Sequence, residues 1–294
     1  MDIPAPLIYS ISMDSLVFFL VLTAAFTHAG WNFFTKKVSG NFTVFWYGTA
    51  AINALMLIYA FYSIAVNGFN FGSTIYILIS AAAHSCYYLA FLYTYQRGDI
   101  STAYPIARGT GVAGTALISF FIMKEVITAL AFAGITVVIA GITFIGLSRV
   151  KNQIKDKKTF FIAILTGIFI FIYSLADKQG VKYLNPVVYI SIVDFIALSA
   201  LVTIANRSGF LKSLKTVKAN LKEALIIGLG SSGTYLLILF ALQMERASYI
   251  VSMREFSVVI ASVMGFVFLK EKPTPLKLAG IILITAGLFM IKAG

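Results

Sequence analysis

Residues 108–143 read RGTGVAGTALISFFIMKEVITALAFAGITVVIAGIT, and residues 254–289 read REFSVVIASVMGFVFLKEKPTPLKLAGIILITAGLF. Aligned without a gap, the two stretches are identical at 12 of 36 positions. In a strongly apolar chain, identical apolar residues align by chance, but identical charged residues and glycines do so much less often. We therefore interpret the pair as an internal duplication. Its charged, threonine and glycine matches are Arg108/Arg254, Lys124/Lys270, Glu125/Glu271, Thr128/Thr274, Gly134/Gly280 and Gly141/Gly287.

The composition around this repeat excludes a soluble domain. Of 294 residues, 60% are hydrophobic and 12% are charged, against about 45–50% and about 25% in soluble proteins. Positions 38–96 hold no charged residue, and the turn-like NGFNFG at 67–72 divides them into two stretches, each long enough to cross a bilayer. The same criteria predict ten membrane helices, at 15–35, 42–66, 73–95, 101–123, 127–148, 159–177, 186–206, 223–243, 247–269 and 276–293.

The duplication and the helix count together predict the architecture. Each repeat holds five helices, an odd number, so the second repeat must enter the membrane from the opposite side. We predict an all-α polytopic membrane protein whose ten transmembrane helices form two inverted five-helix repeats, 1–148 and 159–294, joined by a basic cytoplasmic loop at 149–158. Secondary transporters use this plan, with the substrate site near the midplane between the repeats.

The excess of positive charge predicts the orientation. The net charge is +12, and 16 of the basic residues fall in odd-numbered loops against five in even-numbered loops and the C-terminus. Basic loops stay on the cytoplasmic side, so both termini are expected outside. We expect an integral multi-pass protein of the bacterial cytoplasmic membrane.

Three sets of residues resemble a known family. They are Trp31-Asn32 near the end of helix 1, the Lys-Glu pairs at 124–125 and 270–271, and the Ala-Gly-Ile motifs at 133–135 and 279–281. With the five-plus-five layout, they make the chain similar to the EamA-like transporters of the drug/metabolite transporter superfamily. The resemblance covers essentially the whole chain. It implies export of amino acids or other metabolites, or exchange of sugar phosphates or nucleotide sugars as in related branches. It also implies cytoplasmic termini, whereas the loop charges of this chain favour the reverse.

Arg108, Arg254 and Glu255 lie at membrane depth, Arg108 and Arg254 at equivalent repeat positions. Such charges cost about 2.5–3.5 kcal/mol each on insertion scales and usually mark a pathway. Two guanidinium groups facing one cavity suit a carboxylate or a phosphoryl group, since each donates two parallel hydrogen bonds. The alternative is structural: Glu255 neutralises one arginine, Arg108 in particular, and locks the repeats together.

Further candidates come from polar and aromatic residues inside the helices. His28 and Asn32 share a helix face beside Trp31, and a histidine can shuttle protons near neutral pH; a hydrogen-bonded interior histidine is the alternative. His84 and Tyr88 form an aromatic stripe that favours packing over binding. The predicted substrate contacts are His28, Trp31, Asn32, Tyr104, Arg108, Tyr173, Tyr235, Arg254 and Glu255, and the predicted coupling residues are His28, Asp177, Asp194 and Glu255.

These patterns predict a secondary active transporter that moves a small anionic or zwitterionic metabolite by alternating access. An amino acid, an organic acid and a phosphorylated compound all fit, driven by protons or by a counter-substrate. An exporter of lipophilic cations is the first alternative, and a membrane-embedded enzyme acting on lipid-linked substrates is the second. No catalytic residue, metal site, cofactor or nucleic-acid partner is predicted, because the two histidines and one cysteine match no metal or hydrolase motif.

An epitope tag at either terminus tests the orientation. Because the odd-numbered loops carry most of the basic residues, antibody added to intact cells should label both tags. A tag placed in the 149–158 loop serves as the control and should be labelled only after permeabilisation. Termini that stay unlabelled in intact cells would contradict the orientation.

Overall fold

The computed structural model describes residues 13–38, 41–96, 100–148, 157–207, 214–268, 270 and 272–294. Within these ranges every regular element is a helix. The basic stretches 149–156 and 208–213, including most of the predicted linker loop, lie outside the described residues. The α-helices are α1 (Ser15–Lys37), α2 (Phe42–Asn67), α3 (Thr74–Gln96), α4 (Ile100–Phe121), α5 (Ala129–Leu147), α6 (Lys157–Gly180), α7 (Pro186–Arg207), α8 (Leu214–Ala219), α9 (Leu221–Met244), α10 (Ala247–Met253), α11 (Phe256–Phe268) and α12 (Pro275–Ala293), and a 3₁₀ turn covers Phe71–Ser73.

The long helices confirm a polytopic membrane protein. Eight spans in the described ranges are long and apolar enough to cross a bilayer, with α10 and α11 together making one of them. Helices α3 and α4 coincide with two further predicted segments. The count of ten crossings stays a prediction.

The outer surface of the bundle is apolar. Phe61, Phe132 and Ile282 expose 58% or more of their surface, and they lie on three different helices. A large apolar belt of this kind would be costly in water but suits contact with lipid.

Two pairs of glycines bring α5 and α12 into direct contact. A Cβ atom added at Gly134 would lie 2.8 Å from the carbonyl oxygen of Gly287, and one at Gly141 would lie 2.8 Å from that of Gly280. The helices are antiparallel because one residue number rises as the other falls. The repeat alignment equates Gly134 with Gly280 and Gly141 with Gly287, so a two-fold axis exchanges the two contacts.

The turns leading into these two helices also match. Lys124 and Lys270 both have positive φ, at 57° and 51°, a conformation that side chains other than glycine seldom adopt. Thr128 then caps α5 by accepting from the Ala131 N–H, and Thr274 caps α12 by accepting from the Lys277 N–H. The matched lysine and threonine pairs thus have matched backbone roles.

The remaining contacts interleave the two halves of the chain. Helices α3 and α4 pack on α6, while α1 and α2 pack on α9, and α2 also packs on α7. Gly48 and Gly228 make the α2–α9 crossing very close. Each half therefore buries its inner face chiefly against the other half, which leaves a shared interior between them.

The predicted helix 247–269 is interrupted in its middle. Arg254 and Glu255 form a turn between α10 and α11, in which the Glu255 and Ser257 N–H groups donate to the carbonyls of Ser252 and Arg254. Interrupted helices are common at the solute sites of transporters. The two charged residues lie at the break itself.

Replacing Gly287 with alanine should destabilise the protein by about 1–3 kcal/mol, because the new methyl would lie 2.6 Å from the Gly134 carbonyl oxygen and force the helices apart. Thermal unfolding in detergent measures the effect. Gly109→Ala is the matched control, since a Cβ atom there meets nothing within 4 Å and alanine favours a helix. Equal stability of both variants would contradict a close α5–α12 contact.

Candidate functional site

A narrow cavity of about 70 Å³ lies between the two halves, with room for a few water molecules. Side chains from α1, α2, α3, α6, α7 and α9 surround it, together with the turn between α10 and α11. Its lining residues are His28, Trp31, Phe45, Thr49, His84, Tyr87, Tyr88, Tyr173, Asp194, Ser231, Ser232, Thr234, Tyr235 and Arg254.

Six residues predicted from the sequence line this cavity, and five others do not. Asn32 turns its amide to the backbone carbonyl of His28, at 2.8 Å. An ion-pair cluster beside the cavity contains Tyr104, Arg108 and Glu255. Asp177 belongs to a buried hydrogen-bond network. The six lining residues are His28, Trp31, Tyr173, Asp194, Tyr235 and Arg254.

Arg108 and Glu255 form a buried ion pair. Nη1 of Arg108 lies 3.3 Å from Oε1 of Glu255, and both side chains are almost fully enclosed. Arg108 also donates from Nε to the Tyr104 hydroxyl at 3.2 Å. Glu255 therefore pairs with Arg108 across the two halves, which is the contact that the structural alternative predicts. Helix α4 is held to the turn between α10 and α11 by this pair.

Arg254 has a different environment, although it is the repeat equivalent of Arg108. Its side chain is buried, and Nε has no hydrogen-bond partner among the described residues. Its guanidinium carbon lies 5.6 Å from the centre of the Tyr235 ring, and the side chain lines the cavity. With Arg108 paired, Arg254 is the arginine that faces the cavity, which it shares with the carboxylate of Asp194.

Several other polar atoms at the cavity also lack partners. In the described part of the chain, Trp31 Nε1, Ser232 Oγ and Thr234 Oγ1 are buried without a hydrogen bond. Buried polar groups are nearly always paired with protein, water or ligand. Three donors beside an unpaired guanidinium therefore favour a polar occupant.

Aromatic rings form one wall. The His84 ring stacks on Tyr173 with 4.1 Å between centroids, and the ring of Tyr235 meets His84 edge-on at 5.3 Å. Across the cavity, Trp31 lies against His28 and Phe45. Flat apolar faces beside polar donors can hold a solute that has both kinds of surface.

The two predicted aspartates have contrasting surroundings. Asp194 projects from α7 into the cavity and makes no hydrogen bond within the described ranges. Asp177 on α6 is completely buried, and its carboxylate accepts from Ser80, Tyr189 and Tyr235. Both are acids inside the membrane, but only Asp194 faces the cavity.

Sequence reasoning missed part of the lining. His84 and Tyr88 belonged to a stripe interpreted as packing, although they face the cavity. Phe45 and Thr49 on α2 carry no local signal, because one threonine in an apolar helix is ordinary. Ser231 and Ser232 on α9 also bring hydroxyls to the site.

The fold and the site define an integral, polytopic helical membrane protein with a polar cavity at its centre. Residues 157–293, somewhat less than half of the chain, match the EamA-like transporter family. Over residues 157–293 the match agrees with the resemblance noted in the sequence.

Two relatives and one solved structure extend the comparison. The chain is 24% identical over 208 residues to "Putative sugar uptake protein lmo0424" of Listeria monocytogenes and to "Putative sugar uptake protein lin0444" of Listeria innocua. Each match covers 66% of this chain and 70% of the relative. A crystal structure with 14% identity superposes with a TM-score of 0.73, covering 95% of this chain and 96% of the other. That structure shows the fold, and the matches together support a membrane transporter.

Removing either partner of the Arg108–Glu255 pair should destabilise the protein by about 3–5 kcal/mol, because it leaves the other charge buried alone. Thermal unfolding of Arg108→Met, Glu255→Met and the double variant measures this. The double variant should recover much of the loss, since it leaves no unpaired charge. Additive losses in the double variant would contradict a mutual pair.

Proposed function

We propose that the protein is a secondary active transporter for a small polar metabolite that carries an anionic group, and that Arg254 binds this group. The observation that carries the proposal is the buried guanidinium at the cavity, whose Nε has no hydrogen-bond partner in the described structure. A carboxylate or phosphoryl group would accept from it in the forked geometry that arginine favours. Trp31, Ser232 and Thr234 would donate or accept further hydrogen bonds.

The transport cycle would rest on two inverted repeats, residues 1–148 and 159–294, that rock about the cavity. The exchangeable glycine contacts of α5 and α12 and the matched turns at Lys124 and Lys270 support this division. Alternating access in such folds needs one repeat to move against the other around a fixed site. The cavity lies between the repeats, as this mechanism requires.

A cluster of polar contacts near the even-numbered loops supports a conformation in which the cavity is closed on that side of the membrane, opposite the basic loops. The Glu125 carboxylate accepts from the N–H groups of Ala247 and Ser248 and from the Ser248 hydroxyl. Arg246 donates to the Val126 carbonyl at 2.7 Å. These contacts tie the turn before α5 to the start of α10, and they would have to separate for the cavity to open at that end.

The charges at the cavity also permit a zwitterionic substrate. Asp194 could receive an ammonium group while Arg254 holds a carboxylate, as an amino acid would require. An exporter of lipophilic cations is less well supported, because the positive charge of Arg254 would repel its substrates. A membrane-embedded enzyme is less well supported still, since the matched domain and relatives are of transport type.

A neutral sugar is the second candidate substrate. The two Listeria relatives are named as sugar uptake proteins, and the cavity combines aromatic faces with unpartnered donors. A sugar phosphate would satisfy both candidates, with its ring against the aromatic wall and its phosphate at Arg254.

Transport would be driven by protons or by exchange against a counter-substrate across the bacterial cytoplasmic membrane. Four side chains are proposed for coupling: His28 and Asp194 at the cavity, Glu255 in its ion pair, and Asp177 behind the wall. Histidine and carboxylic acids are the groups that exchange protons most readily in this setting.

A thermal-shift experiment on the purified chain tests the proposal, with glucose 6-phosphate, citrate, glutamate, glucose and tetraphenylphosphonium as probes. A ligand that binds the folded state raises the melting temperature in a dose-dependent way. An anionic or zwitterionic probe should do so, and Arg254→Gln should weaken its apparent affinity by about tenfold or more, the worth of one charge-assisted hydrogen bond.

Lys222→Gln is the matched control, because it removes one exposed positive charge at the start of α9. It should leave the dose response unchanged. If glucose alone raised the melting temperature, and Arg254→Gln did not change this effect, the neutral sugar would replace the anion as the proposed substrate. The proposal would be overturned if tetraphenylphosphonium alone raised the melting temperature. It would also be overturned if none of the probes did so.

A further inference from the structure

The carboxylate of Asp177 accepts three hydrogen bonds in the interior of the bundle. The residue has no exposed surface. Oδ1 accepts from the Ser80 hydroxyl at 2.5 Å and from the Tyr189 hydroxyl at 2.9 Å, while Oδ2 accepts from the Tyr235 hydroxyl. Three helices, α3, α7 and α9, thus converge on one side chain of α6.

All three of these donors are neutral hydroxyl groups. The neighbouring Lys178 directs its ammonium to the backbone carbonyls of Leu242 and Glu245, at 2.6 and 2.7 Å. The carboxylate is therefore solvated by hydroxyl dipoles in a region where ionised acids are otherwise costly. Small changes in those three bonds must shift the balance between its charged and neutral forms.

Adding a proton to Asp177 changes what its partners can do. An ionised carboxylate only accepts hydrogen bonds, whereas a protonated one donates from one oxygen. A neutral acid is also a weaker acceptor than a carboxylate, and its own hydroxyl needs an acceptor, so proton binding weakens the three hydrogen bonds and favours the turning of a hydroxyl away. Proton binding and hydroxyl orientation are consequently linked at this residue.

Two of the network side chains also belong to the cavity wall. Tyr235 lines the cavity and donates to Asp177. His84 lines it too, and its Nδ1 lies 3.0 Å from the carbonyl oxygen and 3.1 Å from the hydroxyl oxygen of Ser80. Tyr189 does not line the cavity; its hydroxyl lies 3.2 Å from the carbonyl oxygen of Tyr76. The hydrogen-bond route between the solute site and the buried acid therefore runs through Tyr235 and His84.

We propose that Asp177 is a proton-binding site of the transporter, and that Tyr235 couples its protonation to occupancy of the cavity. His84 Nδ1 passes a proton to Ser80 Oγ, and Ser80 passes its own hydroxyl proton to Oδ1 of Asp177, which yields the neutral acid; a proton taken up from the cavity at Nε2 restores the histidine. Oδ2, which accepts from Tyr235, then belongs to a neutral group and is a weaker acceptor than before. The Tyr235 hydroxyl keeps its own proton and turns to donate to an oxygen of the solute. This inference rests on the proposed transport function, and it names the coupling group and its link to the site.

The charged groups around this network are few among the described residues. Asp194 on α7 and Arg254 at the helix break both line the cavity wall that Tyr235 shares. The guanidinium of Arg254 faces the Tyr235 ring, so an anionic solute drawn to Arg254 arrives beside the hydroxyl that holds Asp177. Binding of the solute therefore favours breaking of the hydrogen bond from Tyr235 to Asp177.

Infrared difference spectroscopy of the full chain in lipid vesicles tests proton binding without any solute. Lowering the pH should produce a protonated-carboxyl band together with a change in a tyrosine C–O band. Asp177→Asn should remove that carboxyl band, whereas the control Asp194→Asn should keep it. A spectrum of Asp177→Asn identical to that of the unmodified protein, or no carboxyl band in either, would overturn the inference.

The role of Tyr235 is tested by two matched tyrosine variants. Tyr235→Phe and Tyr189→Phe each remove one hydroxyl from the same carboxylate, but only Tyr235 reaches the cavity. The tyrosine change should disappear in Tyr235→Phe and persist in Tyr189→Phe. Equal spectra for the two variants would overturn the coupling role. Ser80→Ala retains the acid and should displace the carboxyl band, which provides a second assignment if Asp177→Asn fails to fold.

Uptake of glucose 6-phosphate into proteoliposomes separates this inference from the proposed function. The ratio of uptake driven by a pH gradient to uptake driven by counterflow should fall about tenfold in Asp177→Asn, the usual size of coupling between two sites. An unchanged ratio would overturn the inference and leave transport intact. The absence of both kinds of uptake in the unmodified protein would instead count against a phosphorylated substrate.

Discussion

Hydrocarbon can neither solvate a charge nor offer hydrogen bonds, and the ion pair of Arg108 and Glu255 is the main response of this chain to that constraint. The pair is almost fully buried, with Arg108 on α4 and Glu255 in the turn between α10 and α11. Each charge would be expensive alone, so the two helical segments must stay together. Glu255 and Arg254 both lie in the turn between α10 and α11, the first paired with Arg108 and the second at the cavity.

Close backbone contacts at glycines hold further pairs of helices together. The glycines of α5 and α12 let two antiparallel helices meet at their carbonyl oxygens, and Gly48 with Gly228 does the same for α2 and α9. Lipid gives no hydrophobic drive for helices to associate, so packing at small residues carries much of the energy. The interleaved halves share their inner faces, and the polar side chains gathered there have no route to lipid. A cavity with unpartnered donors is the result.

The repeat pattern predicted the architecture because matched glycines and charges have few explanations in an apolar chain. It also predicted that Glu255 neutralises Arg108 as one of two alternatives, since neighbouring residues on a helix point in different directions. Only the folded structure shows which side chains are in contact, and so which alternative applies. Cavity residues such as Thr49 and His84 could not be singled out, because their role depends on which helix faces which. The partners of Asp177 come from 12 to 97 residues away along the chain, beyond the reach of any local pattern.

One substitution between the repeats accounts for the different environments of the two arginines. The alignment that equates Arg108 with Arg254 places Gly109 opposite Glu255. If the repeats were identical here, each arginine would have its own carboxylate across the axis, and the centre would be neutral and closed. Glycine in the first repeat means that Arg254 has no carboxylate at the position equivalent to Glu255. Two equivalent arginines thus have different surroundings: Arg108 pairs with Glu255 across the two halves, and Arg254 lines the cavity.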